Sequence, residues 1–254
     1  MSDGLRLDVP ADAERRLRAQ ARLRVSRVES ERRFEAHPWP FLCEAGFTFD
    51  PFAKKERGGG VRKYPGTTIR DPAPNCPCTE GGCVNYLHHM VNVWYDHPRI
   101  VLPKSRRLIT SWTMILCHVW LARYRPGQVI AFVSQKQGQN EDEGAAELVK
   151  RGRHIEDHIP VEYQQRETQR AWCRTFYPHN GSVILGIAQG ANQLRQLAIT
   201  AWFADEFAFW ERAGETYAAS IPALEGGGRF TGVSTANPGF MKQLVFDEWH
   251  VGSS

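Results

Sequence analysis

RIVLPKSRRLITSWTMILCHV, residues Arg99–Val119, decides how the rest of the chain is read. Ile100, Val101 and Leu102 form a short apolar run of the kind that makes a buried strand. Pro103–Arg107 is a cationic, polar turn. Ser111 then stands at the head of a long apolar run suited to a buried helix. A strand, a basic turn and a helix with a hydroxyl in its first turn is the layout of a phosphate-binding loop. Free N–H groups and the positive end of the helix dipole favour an anion at that point. The stretch departs from the common G-x-x-x-x-G-K-[ST] pattern. It holds no glycine, Thr110 stands where lysine normally precedes the hydroxyl residue, and lysine comes early, at Lys104. Its meaning therefore depends on carboxylates placed elsewhere in the chain.

The 254 residues suffice for one large domain or two small ones. A hydrophobic content of 42% with 11% aromatic residues excludes a disordered chain. The net charge of +4 permits a polyanionic partner without requiring one. No run approaches the roughly 18 apolar residues of a membrane span, and the N-terminus lacks the apolar core of a signal peptide. A soluble, intracellular protein is expected. The six cysteines do not resemble a secreted disulfide framework. Cys43, Cys117 and Cys173 are scattered, two of them in apolar surroundings that suit buried thiols.

Residues 1–36 form an arginine-rich arm ahead of a main domain spanning residues 37–254. In the arm, Ala11–Phe34 is long enough for a helix, with Leu17, Ala21, Val25 and Val28 at helical spacing. Such a helix is either solvated or docks on a neighbouring subunit or on phosphates. Phe41, Phe47, Phe49 and Phe52 are core residues or a surface for a flat ligand such as adenine. Within an insert at residues 71–89, Cys76, Cys78, Cys83 and His88 can close a tetrahedral zinc site. The alternative is a Pro/Gly-rich surface insert ahead of a helix over Asn85–Tyr95. Further along, Gln128–Ser134, Trp172–Tyr177, Ser182–Ile187, Leu197–Ala204 and Arg229–Ser234 read as strands. Glu141–Ile159 and Gly214–Leu224 read as helices. Apolar strands alternating with helices argue for an α/β fold, a mainly parallel sheet covered on both faces.

The strand over Leu197–Ala204 ends at Asp205-Glu206. Open α/β sheets bind ligands beyond the C-terminal ends of their strands. There Asp205 would hold a magnesium ion together with the Ser111 hydroxyl, and Glu206 would polarise the attacking water. Lys104, Ser105, Arg106, Arg107, Thr110 and Ser111 would cradle the phosphates. Phosphoryl transfer needs mostly positioning and charge neutralisation, so these parts suffice in kind. The bland reading of the acidic pair is two exposed strand-end residues.

Three motifs in order, PKSRRLITSW at 103–112, ITAWFADEFAFW at 199–210 and GGGRFTGVSTANPGF at 226–240, carry a resemblance. Over roughly Phe41–Glu248 the chain resembles the ATPase domain of the large terminase subunit, the DNA-packaging motor of tailed bacteriophages. The resemblance implies a P-loop NTPase-like fold of the ASCE/RecA type. Some members of that family carry the phosphate-loop lysine early, as Lys104 stands here, and Arg107 matches the loop arginine. Asp205 and Glu206 resemble the Walker B pair. Ser234-Thr235-Ala236-Asn237 resembles the coupling motif, with Ser234, Thr235 and Asn237 as its polar members. Arg195 matches an arginine that reaches a neighbouring subunit's nucleotide.

The activity implied is magnesium-dependent ATP hydrolysis that drives double-stranded DNA into a procapsid. The implied partners are DNA, the portal protein, the small terminase subunit and further copies of the chain in a ring. The implied place is the cytoplasm of the infected bacterium, transiently at the portal. The family usually continues into a nuclease domain, whereas this sequence stops at Ser254. Nuclease activity is therefore expected of a separate domain or subunit. A helicase-like DNA-dependent ATPase and a degenerate, non-hydrolysing DNA-binding adaptor are the competing readings.

Overall fold

The computed structural model describes residues 25–50, 60–64, 86–105, 108–163, 166–190 and 197–246. Residues 1–24, Phe52, Cys76, Cys78, Cys83, Arg106, Arg107 and Arg195 lie outside the described residues.

A small antiparallel ribbon, β1 (Phe47–Phe49) with β2 (Val61–Lys63), precedes the main sheet. The main sheet has seven strands. In spatial order they are β3 (Arg99–Lys104), β9 (Arg229–Thr235), β8 (Ala201–Asp205), β4 (Val129–Ser134), β7 (Ser182–Ala188), β6 (Arg174–Tyr177) and β5 (Gln169–Ala171). The run from β3 to β7 is parallel, and β6 and β5 add an antiparallel edge. β9 separates the strand that leads into the basic turn from the strand that ends in the acidic pair. Register sets Lys104 beside Thr235 and Asp205 beside Val233, so the chemically loaded residues share one edge of the sheet.

Both faces are covered, and the strands show why. Successive side chains of a strand point to opposite faces. Ile130 and Phe132 of β4, with Ala201 and Phe203 of β8, belong to one core. Ala131, Val133, Trp202 and Ala204, one residue out of phase, belong to the other. The first core is closed by α2 (Pro38–Ala45), α3 (Tyr86–Asp96), α4 (Thr110–Tyr124) and α5 (Gly144–His158). The second is closed by a 3-10 turn at Phe207–Phe209, α6 (Ala213–Glu225) and α7 (Phe240–Val245). This is the mainly parallel, two-faced α/β sheet expected from the sequence.

α4 is buried nearly all round, from Thr113 to Arg123. A helix that is apolar on every side is one enclosed by protein. It therefore runs through the first core and delivers its N-terminus to the loaded edge of the sheet. At its other end Arg123 donates to Glu156 of α5 at 2.5 Å, with both side chains almost fully buried. Tyr177 donates to the second Glu156 oxygen at 3.0 Å, and Arg123 also donates to the Tyr163 carbonyl at 2.9 Å. α5 lies close on β7 at Gly186, where a Cβ would meet the Ala145 carbonyl at 2.9 Å. These contacts fix α4 against α5.

The boundaries differ from the sequence expectations in instructive ways. α5 begins at Gly144 rather than Glu141: Gly138 in the preceding turn and Gly144 itself both take positive φ. The strand expected over Leu197–Ala204 is confined to Ala201–Asp205. β5 was not expected; its Gln169, Arg170 and Ala171 are all exposed and carry no apolar alternation. Residues 25–36 are helical (α1), and Phe34 is fully buried in the first core. Trp120 donates to the Phe34 carbonyl at 2.5 Å, which ties this end of the arm to the body. Val25 and Val28, which the helical spacing marks as a stripe, stay 58% and 51% exposed. Phe34, not the valine stripe, is the apolar residue this helix buries. Among the described residues no helix is long and apolar enough to cross a membrane.

Candidate active site

The turn between β3 and α4 solves a steric problem without glycine. Ile109, immediately before α4, takes the left-handed conformation, φ 45 and ψ 16. A β-branched residue held there costs about 1–3 kcal/mol, so the surroundings must hold it. They do so from several directions. The Thr113 N–H and hydroxyl both donate to the Ile109 carbonyl, at 2.9 and 3.1 Å. Tyr86 donates to the Leu108 carbonyl at 3.1 Å, and the Ile109 side chain packs on the first core. Thr110, the first residue of α4, is buried, whereas Ser105 is exposed.

Ser111 follows in the first turn of α4, and its hydroxyl donates to Asp205 Oδ1 at 2.7 Å. Asp205 ends β8, and the Trp210 indole N–H holds its carbonyl at 3.0 Å. Burial pushes the Asp205 pKa up. The Ser111 hydrogen bond and the positive charges of Arg151 and Lys104 oppose that rise, and the neighbouring Glu206 adds to it. A carboxyl whose folded pKa exceeds its unfolded one binds protons more readily in the folded state. Stability is then lost as pH rises through the carboxylate range, and the full penalty is present at neutral pH. Asp205→Asn keeps an acceptor for Ser111 and removes the charge. The variant is expected to melt higher at pH 7 without divalent cations, by about 2–4 °C per kcal/mol relieved. The gain should vanish below the carboxylate range. Thermal melts across pH check this, and an equal or lower melting temperature at pH 7 would contradict it.

Glu206 also takes the left-handed conformation, φ 52 and ψ 38. Ile109 and Glu206 thus hold this conformation in the two segments that bring Ser111 and Asp205 together, where such strain commonly has a use. The Glu206 carboxylate lies 3.5 Å from Lys104 Nζ. It receives long contacts from the Ser234 and Thr235 hydroxyls, at 3.4 and 3.5 Å. The Asn237 amide donates to the Ala208 carbonyl at 3.0 Å, fastening the loop after β9 to the turn after β8. Lys104, Ser111, Asp205, Glu206, Ser234 and Thr235 thus come together, and Asn237 braces them from behind.

Residues with no sequence signal also take part. Arg151 of α5 bears on Asp205 by its charge, and the Trp210 indole N–H donates to the Asp205 carbonyl. Arg151 arrives only through the packing of α5.

The donor set suits a magnesium ion. A serine hydroxyl and a half-buried carboxylate are hard oxygen ligands, and magnesium usually takes one or two carboxylates, waters and substrate phosphates. A cation would also relieve the half-buried Asp205 charge. Among the described residues no group of three or more His, Cys, Asp or Glu side chains gathers for a metal. The cysteines of the zinc reading fall outside those residues, and the His88 ring stacks on Trp39 at 4.6 Å.

No protein-family model matches the chain, and no curated protein matches it in sequence. Phage large terminases and a DNA packaging ATPase are among the solved structures to which it is similar. A variant of the large terminase ATPase domain of Thermus phage P74-26 is 15% identical with TM-score 0.49, covering 67% of this chain and 72% of that one. The N-terminal domain of the bacteriophage phi29 DNA packaging ATPase is 15% identical with TM-score 0.41, covering 61% and 82%. A large terminase from a thermophilic bacteriophage, solved with ADP, is 13% identical with TM-score 0.41, covering 55% and 34%. Identities this low leave residue roles and substrate to be argued from the site.

Proposed function

We propose that the chain is a magnesium-dependent ATPase, the motor domain of a phage large terminase that drives double-stranded DNA into a procapsid. One observation carries the reading. Lys104 and Ser111 meet Glu206 and Asp205, 102 and 94 residues away in sequence, at the C-terminal edge of a parallel sheet. That edge is where open α/β sheets bind ligands. The residues supply a cation, a hydroxyl, a half-buried carboxylate and an exposed carboxylate, the parts phosphoryl transfer requires.

In this reading Ser111 and Asp205 hold the magnesium ion, which neutralises charge on the phosphates. The α4 N–H groups and Lys104 take the remaining charge, with Arg106 and Arg107 as further cations of the loop. Glu206 orients a water and accepts its proton. Its 3.5 Å contact with Lys104 is then a resting contact that opens when phosphate draws the lysine away. Ser234 and Thr235 touch the same carboxylate, so a change at Glu206 reaches β9 and, through Asn237, the turn at Ala208. This is a physical route for coupling hydrolysis to movement. Arg195 would complete the site of a neighbouring copy in a ring on the portal. DNA would be held mainly by its phosphates, so binding would be independent of sequence and weakened by salt. Hydrolysis would take place in the host cytoplasm with the small subunit and a nuclease as partners.

Lys104→Ala is expected to weaken ATP binding roughly 10- to 100-fold, the worth of one charge-assisted hydrogen bond. Equilibrium titration checks it, and unchanged affinity would shift the cradle to the arginines. The function itself is tested by steady-state ATP turnover with and without double-stranded DNA. Nucleotide binding with no turnover under any of these conditions would favour the non-hydrolysing adaptor.

A further inference from the structure

A cleft opens beside the site, between the first turn of α4, α5 and the end of β1. Its volume is about 340 Å3, and Phe49, Trp112, Arg151 and His154 line it with Asp142, Glu147 and Lys150. That volume falls within the ~300–1,000 Å3 typical of small-ligand pockets. Phe49 is 44% exposed, unusual for a phenylalanine that lies against a cleft wall. Its ring rests on Gly60, where a Cβ would collide with it. His154 meets Phe49 edge-on at 5.7 Å and Trp112 edge-on at 5.8 Å, so one imidazole braces both rings. Burial and the nearby His158 push the His154 pKa down.

The charges at the rim are already satisfied. Lys150 pairs with Asp142 at 2.5 Å and Arg151 with Glu147 at 2.5 Å. What the cleft offers a ligand is therefore aromatic surface. It also begins one residue from the catalytic edge. Trp112 follows Ser111, which bonds Asp205, and the Arg151 guanidinium lies over the Trp112 ring at 5.5 Å. A ligand with a flat ring at one end and phosphates at the other fits this pairing.

We propose that this cleft receives the base of the bound nucleotide, with the rings of Phe49 and Trp112 as its stacking surfaces. The proposal rests on the nucleotide reading of the Lys104–Ser111–Asp205 site and adds where the base goes. A purine presents more surface than a pyrimidine and binds better.

The test compares magnesium-ADP with magnesium-tripolyphosphate, which carries the phosphates and no base, on the full chain. Phe49→Ala and Trp112→Phe are the variants; the first side chain is exposed, and the second keeps a ring in place. Stacking of one base is worth roughly 1–3 kcal/mol, so Phe49→Ala is expected to weaken ADP binding about 5- to 100-fold. Trp112→Phe should weaken it by a smaller factor. Tripolyphosphate affinity should stay unchanged in both variants, and wild type should prefer ADP over CDP. If both variants bind ADP like wild type, or lose ADP and tripolyphosphate equally, the cleft is not the base site and the phosphate site stands. If wild type binds neither ligand, the nucleotide reading itself falls and takes the cleft with it.

Discussion

Glu206→Gln is expected to lower ATP turnover by about 10²- to 10⁴-fold while ATP binding is retained, the range for removing a positioned general base. The carboxylate is 48% exposed at the end of β8, so the substitution perturbs no core. Glutamine keeps an oxygen for the Ser234 and Thr235 hydroxyls. It removes the charge that Lys104 faces and the acceptor of the water's proton. Lys104 is then free for phosphate, so affinity should hold or rise. Phosphate release in the steady state and nucleotide titration together read both effects. Undiminished turnover would move the base elsewhere. A loss of binding as large as the loss of turnover would make Glu206 a structural support of the loop.

The largest expected effect on stability comes from Arg123→Met. It leaves Glu156 charged and almost fully buried, with the Tyr177 hydroxyl as its remaining polar partner. Stranding one member of a buried pair costs about 3–5 kcal/mol. Arg123→Met combined with Glu156→Gln should recover much of that, because glutamine is neutral and still accepts from Tyr177. Chemical denaturation of the two variants makes the comparison. Equal destabilisation by the single and double changes would show that the loss lies in packing and in the Tyr163 carbonyl contact instead. The pair joins the far end of α4 to α5.

The apolar runs of β4 and β8 were readable as strands because both faces of these strands are covered and their interiors are apolar. α4 was readable as a buried helix for the same reason. Exposed β5 carries no such signature, and pairing with β6 alone makes it a strand. Phe41 and Phe49 looked alike in sequence. Packing put one wholly in the core and left the other on a cleft.

By itself, the sequence determined the alternation of strands and helices, the two-faced sheet and the chemical types at its edge. Local apolar patterning and residue chemistry are properties of short stretches. It marked the turn as basic and without glycine, and could not say how such a turn closes. Tertiary structure decided that Ile109 adopts the left-handed conformation, because Thr113, Tyr86 and the first core hold it from outside the loop. It decided likewise that Lys104 meets Glu206 and that the charge of Arg151 reaches Asp205. Those meetings depend on strand order and helix packing, which join residues about a hundred positions apart and leave no trace in any local pattern.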